Sequence, residues 1–124
     1  MATDDNIESD AGTPIDWQVA RNFTGGDDAL LDELIEMFPE ESEKHLEAIR
    51  IAIEQGDASS LTRSAHTLKS SARFFGAATL AAHALEMETL GESSSTAKAE
   101  ARLLDLQTET SRVIAALKQG RPEA

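Results

Sequence analysis

The chain has 124 residues, and its 23 Asp and Glu against 11 Lys and Arg give a formal charge of −12, which repels nucleic-acid phosphates and anionic lipid surfaces. It has no cysteine, so disulfides, thiolate catalysis and thiolate metal sites are excluded and histidine becomes the natural candidate for chemistry. The length suits one domain built round a single core.

Residues 1–13, "MATDDNIESDAGT", carry Asp4, Asp5, Glu8 and Asp10 among small polar residues. Such a stretch buries too little to offset the cost of ordering, and it reads as a flexible acidic tail, unlike a secretory signal. The ordered domain is expected over 14–120, with 121–124 as a C-terminal tail. Its opening "PIDWQVARNF" predicts a short helix with Ile15, Val19 and Phe23 at four-residue spacing, ended by Gly25 and Gly26. Asp27 then starts a long amphipathic helix in which Leu30, Leu31, Leu34, Ile35, Phe38, Leu46, Ile49 and Ile53 keep one stripe until Gly56. Pro39 inside it is expected to bend the helix or start a new segment. Asp57 caps a third predicted helix through about Phe75, and Gly76 makes a break before a fourth, Ala77 to about Leu90. "GESSST" at 91–96 is a polar turn offering Ser or Thr caps, and Leu103, Leu106, Val113 and Leu117 mark a last helix out to Gly120. No alternating run suggests a strand, and no stretch approaches the ~20 apolar residues of a membrane span. The expected fold is all-α, an antiparallel up-down four-helix bundle with a short extra N-terminal helix, in a soluble cytoplasmic protein.

One segment departs from the acidic average. From Ala58 to Leu85 there is no Asp or Glu, yet Arg63, His66, Lys69 and Arg73 fall within it. On a helical wheel the apolar residues Leu61, Ala65, Leu68, Ala72 and Phe75 centre about 140° from His66, which places the imidazole outward or on the bundle rim. Thr62, Arg63, Lys69, Ser70 and Arg73 all lie within about 60° of it. A neutral ring nitrogen is a competent nucleophile for a phosphoryl group, and Lys69 one turn away is placed to offset the charge that group brings, in acid-free surroundings. Spacing alone leaves open the plainer reading, a solvated basic turn.

The residues "AHTLKSSARFFGA", 65–77, resemble the signature of histidine phosphotransfer (HPt) domains, which runs roughly Ala-His-x-Leu-Lys-Gly-x-x-x-x-x-Gly-Ala. The likeness extends to "ALLDELIEMF" as the preceding helix, "AIEQGDASSLTRS" as the turn before the phosphorylated helix, "MET" at 87–89 near the family's usual Leu-Glu, and "LLDLQTETSRVIAAL" as the last helix. It covers about residues 15–118. The resemblance implies a bundle that relays phosphoryl groups between response-regulator receiver domains in multistep two-component signalling, a phosphocarrier without an ATP site. His66 is then the phosphorylated residue and Lys69 its supporting cation. Thr62, Arg63, Ser70, Arg73, Phe74 and Gly76 form the expected partner surface, with Gly76 also permitting the close turn after the helix. The implied partners are receiver domains and a sensor or hybrid histidine kinase, met transiently by a monomer; no cofactor is expected in this chain, and the magnesium ion belongs to the receiver.

Two positions depart from the pattern. Ser70 stands where the family often has Gly, and His83 stands where an apolar residue is usual. On the Leu80, Ala84, Met87 stripe, His83 reads as a partly buried structural histidine. His45, within "EKHLE", reads as part of a polar face, and no spacing of histidines and carboxylates suggests a metal site. The acidic runs "DELIE" and "EESEKHLE" read as solvated helix faces and not as acid–base pairs. A different class of function, a bundle of the same fold that binds a receiver or kinase without carrying phosphate, is the alternative.

Overall fold

Three aspartates set the first helix starts. In the computed structural model, which describes residues 14–122, the Asp16 carboxylate accepts from the N–H groups of Gln18 and Val19 to open α1 (Trp17–Phe23). Asp27 does the same for α2 (Asp28–Gln55) through Leu30, and Asp57 for α3 (Ala58–Phe74) through Ser60. Each cap satisfies backbone donors that a helix otherwise leaves unpaired. Two more helices follow, α4 (Ala78–Glu92) and α5 (Thr96–Lys118), and no strand occurs among the described residues. The acidic tail expected at 1–13 and the last two residues of the expected C-terminal tail lie outside the described residues.

The helix layout matches the sequence reading with three differences. No new segment begins at Pro39: α2 runs unbroken through it, and the buried Ser42 hydroxyl donates to the Pro39 carbonyl at 3.1 Å. The fourth helix continues past Leu90 to Glu92. Ser95 takes the N-cap position of α5 without a side-chain bond to the helix; its hydroxyl lies 3.0 Å from that of Ser93 instead.

Short connections force neighbours to run antiparallel, and α2, α3, α4 and α5 pack in a closed ring, α2 also meeting α5. The apolar face predicted for α3 is the face that is buried: Leu61, Ala65, Leu68, Ala72 and Phe75 line the core with Leu31, Phe38 and Ile49 of α2, Leu80, Ala84 and Met87 of α4, and Leu106, Val113 and Leu117 of α5. Each leucine fully buried there contributes about 1.5–3 kcal/mol. Leu30, at the edge of its predicted stripe, is exposed, because the partners of α2 cover less of its circumference than the stripe spans.

α3 and α4 pack tightly at Gly91, where an added Cβ would run into Thr62 Oγ1 and lie 2.8 Å from the Thr62 nitrogen. α1 is held outside the ring against α2 and α3. Its anchor is the turn after α3, where the Asp16 N–H donates to the Phe75 carbonyl at 3.1 Å. Gly76 in that turn has φ +65°, and a Cβ there would lie 2.5 Å from Asp16 Cβ. Arg121, assigned by sequence to a tail, is tied back to α2, donating to both Asp32 oxygens at 2.8 and 3.1 Å. Arg21 of α1 donates to the Pro122 carbonyl at 3.1 Å.

Candidate functional site

His66 sits midway along α3 with its side chain 58% exposed, and its Nδ1 lies 2.9 Å from Oε2 of Glu88 on α4. The other oxygen of the same carboxylate, Oε1, lies 2.6 Å from Nζ of Lys69. That second contact is a close ion pair whose angles fall short of a hydrogen bond, and Oε1 has no other partner. One glutamate thus bridges the histidine and the lysine. The Lys69 ammonium holds the Glu88 carboxyl below the usual glutamate value; burial pushes it up, and the His66 ring adds to the lowering.

This geometry corrects two expectations. Lys69 was placed on the outer face as a cation free for a ligand, yet its side chain is only 10% exposed and its charge is met by Glu88. On the wheel of α3, Lys69 lies on the flank that faces α4, and a wheel drawn for one helix cannot show which residue the neighbouring helix supplies. The surroundings of His66 are also not free of acid: the segment 58–85 lacks carboxylates in sequence, but α4 returns Glu88 to it in space.

The chemical consequence concerns the imidazole's tautomer. An ionised carboxylate only accepts, so the neutral ring carries its proton on Nδ1, donates it to Glu88, and leaves the Nε2 lone pair free toward solvent. The carboxylate also stabilises any positive charge that develops on the ring when Nε2 forms a bond.

The other predicted residues divide. Arg63 and Arg73 are exposed on the His66 side, Arg63 donating to the Ser60 hydroxyl at 3.4 Å. Ser70 is exposed too, and its hydroxyl donates to the His66 carbonyl at 3.2 Å, which folds it against its own helix. Phe74 is half-buried between Phe23 and Phe75, with ring centroids at 5.2 and 5.0 Å. Thr62 turns inward instead: it bonds the Ala58 carbonyl at 2.9 Å and faces Gly91. Gly76 is likewise internal, since the space a side chain would need belongs to Asp16. His83 is half-buried, and His45 is half-buried with Nε2 4.0 Å from Glu41.

Glu88 is the residue beside His66 that sequence reasoning did not single out. Its signal was present: a glutamate next to Met87 on the buried face of α4 needs a partner, because an unpaired charge there is costly. Among the described residues no group of three His, Cys, Asp or Glu side chains could hold a metal ion, and no helix is long and apolar enough to cross a membrane.

The bundle displays a half-exposed histidine, with one ring nitrogen held by a buried carboxylate and the other open. Residues 33–119 match the model of the Hpt domain, and the chain belongs to the Hpt domain family. It is similar in structure to the histidine-containing phosphotransfer protein B (HptB) of Pseudomonas aeruginosa PAO1, at 26% identity and a TM-score of 0.78 over 85% of this chain and 91% of that one. It also shares its fold with the HPT domain of the Hpt sensor hybrid histidine kinase from Shewanella, at 21% identity and a TM-score of 0.73 over 86% and 92%. No curated protein matches it significantly in sequence. The family match begins within α2 and leaves α1 outside.

Proposed function

We propose that this chain carries a phosphoryl group on His66 between receiver domains of a cytoplasmic phosphorelay. Nε2 attacks the phosphorus of a receiver's aspartyl phosphate, the P–O bond to the aspartate breaks, and the carboxylate leaves with the electron pair. Nδ1 keeps its proton throughout, and Glu88 offsets the positive charge that forms on the ring. Transfer to a second receiver is the same step reversed. Lys69 acts through Glu88, keeping it ionised and aimed at Nδ1. The receiver brings the magnesium ion that screens the transferring group, and a sensor or hybrid histidine kinase stands upstream. The observation that carries this reading is the single Nδ1 contact of a half-exposed histidine, 2.9 Å from an ionised glutamate.

The test is incubation with a phosphorylated receiver and detection of acid-labile phosphate on the chain. Labelling of the wild type that disappears in His66→Gln is expected. Equal labelling of that variant, or no transfer from any receiver of the same genome, overturns the proposal and leaves a receiver-binding bundle that carries no phosphate.

A further inference from the structure

The contact between His66 Nδ1 and Glu88 fixes more than a tautomer, because it also sets which side of α3 the reactive nitrogen faces. The two ring nitrogens of an imidazole point in divergent directions, so with Nδ1 turned to α4, Nε2 is turned away from it. On the wheel of α3, Thr62 and Lys69 lie about 40° and 60° from His66 on the α4 flank, whereas Ser70 lies about 40° from it on the other flank, one turn later. Helical side chains lean toward the N-terminus, so Ser70 stands over the turn that carries His66. Its exposed hydroxyl is already there, donating to the His66 carbonyl at 3.2 Å. Among the described residues three other hydroxyls bond the carbonyl four residues back, Thr62 at 2.9 Å, Thr67 at 3.1 Å and Thr110 at 2.8 Å. The Ser70 bond is the longest of the four, and bonds of this kind add little to a helix. Nor does the backbone ask for a glycine at position 70, which lies inside α3 and away from every positive-φ residue of the described chain.

We propose that Ser70 holds the phosphoryl group that His66 carries. The inference rests on the phosphorelay reading and adds to it a residue that acts after transfer. With a phosphoryl group on Nε2, one χ1 rotation takes the Ser70 hydroxyl off the His66 carbonyl, and it donates to a phosphoryl oxygen instead. A hydrogen bond to an ionised acceptor is roughly twice as strong as one between neutral groups, so the exchange is favourable. The two cations nearest in sequence are engaged elsewhere. Lys69, on the opposite flank, has its ammonium 2.6 Å from Glu88 Oε1; Arg63 donates to the Ser60 hydroxyl and helps to lower the Asp57 carboxyl. No covalent bond to Ser70 forms or breaks. When the phosphohistidine hydrolyses, a water oxygen attacks phosphorus, the P–N bond breaks and Nε2 recovers the electron pair. That transition state is loose, and its equatorial oxygens carry less charge than those of the bound dianion. A donor on those oxygens therefore stabilises the phosphohistidine more than the transition state, and lengthens its life.

The experiment loads wild type, Ser70→Ala, Ser70→Gly and Ser70→Thr from a phosphorylated receiver, removes the receiver and follows the loss of acid-labile phosphate at neutral pH. Ser70→Ala and Ser70→Gly should lose it about fivefold faster than wild type, the scale of one exposed hydrogen bond. Ser70→Thr, which keeps the hydroxyl, should hold it as wild type does. At equilibrium with the receiver, phosphate should move toward the receiver by the same factor in Ser70→Ala, whose circular dichroism spectrum should not change. A lifetime in Ser70→Ala equal to that of wild type overturns the proposal and leaves the phosphorelay reading standing, and a change seen in Ser70→Gly alone would then assign position 70 a role through bulk only. Where no receiver labels the wild type, the phosphorelay reading fails by itself. Phosphoramidate, a chemical donor to histidine that needs no receiver, then loads the ring for the same comparison, with His66→Gln giving the background from His45 and His83. A shortened lifetime in Ser70→Ala under that loading supports the hydroxyl contact, and an unchanged one overturns it.

Discussion

His66 Nδ1 and Glu88 Oε2 lie 2.9 Å apart although 22 positions separate the residues, and this contact decides which ring nitrogen is free to react. Removing the carboxylate in Glu88→Ala frees Nδ1, so both neutral tautomers become populated. Nitrogen-15 NMR of the ring should show the Nε2-protonated form appear, and phosphotransfer should slow by about 10–100-fold, the scale on which orienting partners of functional histidines act. A single Nδ1-protonated tautomer persisting in the variant would remove Glu88 from the mechanism.

Acid sensitivity follows from the same carboxylate. Glu88 titrates below its ordinary value of 4.5 in the folded chain, so as pH falls the unfolded chain takes up the proton first. Its contribution to stability is full above about pH 4.5 and is lost as pH falls through the lower folded value. Urea midpoints measured against pH should flatten below that point in Glu88→Gln. A residual slope should remain from Asp32, Glu47 and Asp57, whose carboxyls are also lowered, each by its own hydrogen-bonding partners.

Lys69→Met tests whether the lysine belongs to the interior. It leaves the buried Glu88 oxygen Oε1 without a counter-charge, and the expected loss is about 2 kcal/mol in denaturant unfolding. A lysine acting only on the surface would lose almost nothing. Phosphotransfer should also slow, with the same shift of ring tautomer as in Glu88→Ala though smaller.

Two glycines with similar φ should respond differently to alanine. At Gly25, φ +66°, an added Cβ meets nothing within 4 Å, whereas at Gly76, φ +65°, it meets Asp16 Cβ at 2.5 Å and the Asp16 carbonyl at 2.8 Å. Gly25→Ala should cost about 1 kcal/mol of backbone strain, and Gly76→Ala about 1–3 kcal/mol more through overpacking. The second variant should undock α1, which the fluorescence of Trp17, the only tryptophan, would report.

What the sequence disclosed was local in origin. Asp27 and Asp57 as caps, Gly56 as a stop and the inward stripe from Leu61 to Phe75 each depend on residues within a turn or two, and each was readable from spacing. The bridge from Lys69 through Glu88 to His66 depends on how α3 and α4 are packed, and no period within either helix carries that. Leu30 failed for a related reason: its stripe was read correctly, but how much of the stripe the bundle covers is a property of the neighbours. The resemblance in "AHTLKSSARFFGA" pointed to His66 because that motif is contiguous, whereas Glu88 lies in a part of the match that the motif does not contain.

The meeting of Gly91 and Thr62 acts as a gauge for the reactive centre. Gly91 lies one turn beyond Glu88 on α4, so the separation of the two helices there fixes how far the Glu88 side chain must extend to reach both His66 and Lys69. Glutamate spans that gap, and an aspartate is shorter by one methylene. A single methyl group at position 91 would therefore act at a distance, widening the crossing and withdrawing the carboxylate from a histidine it never touches.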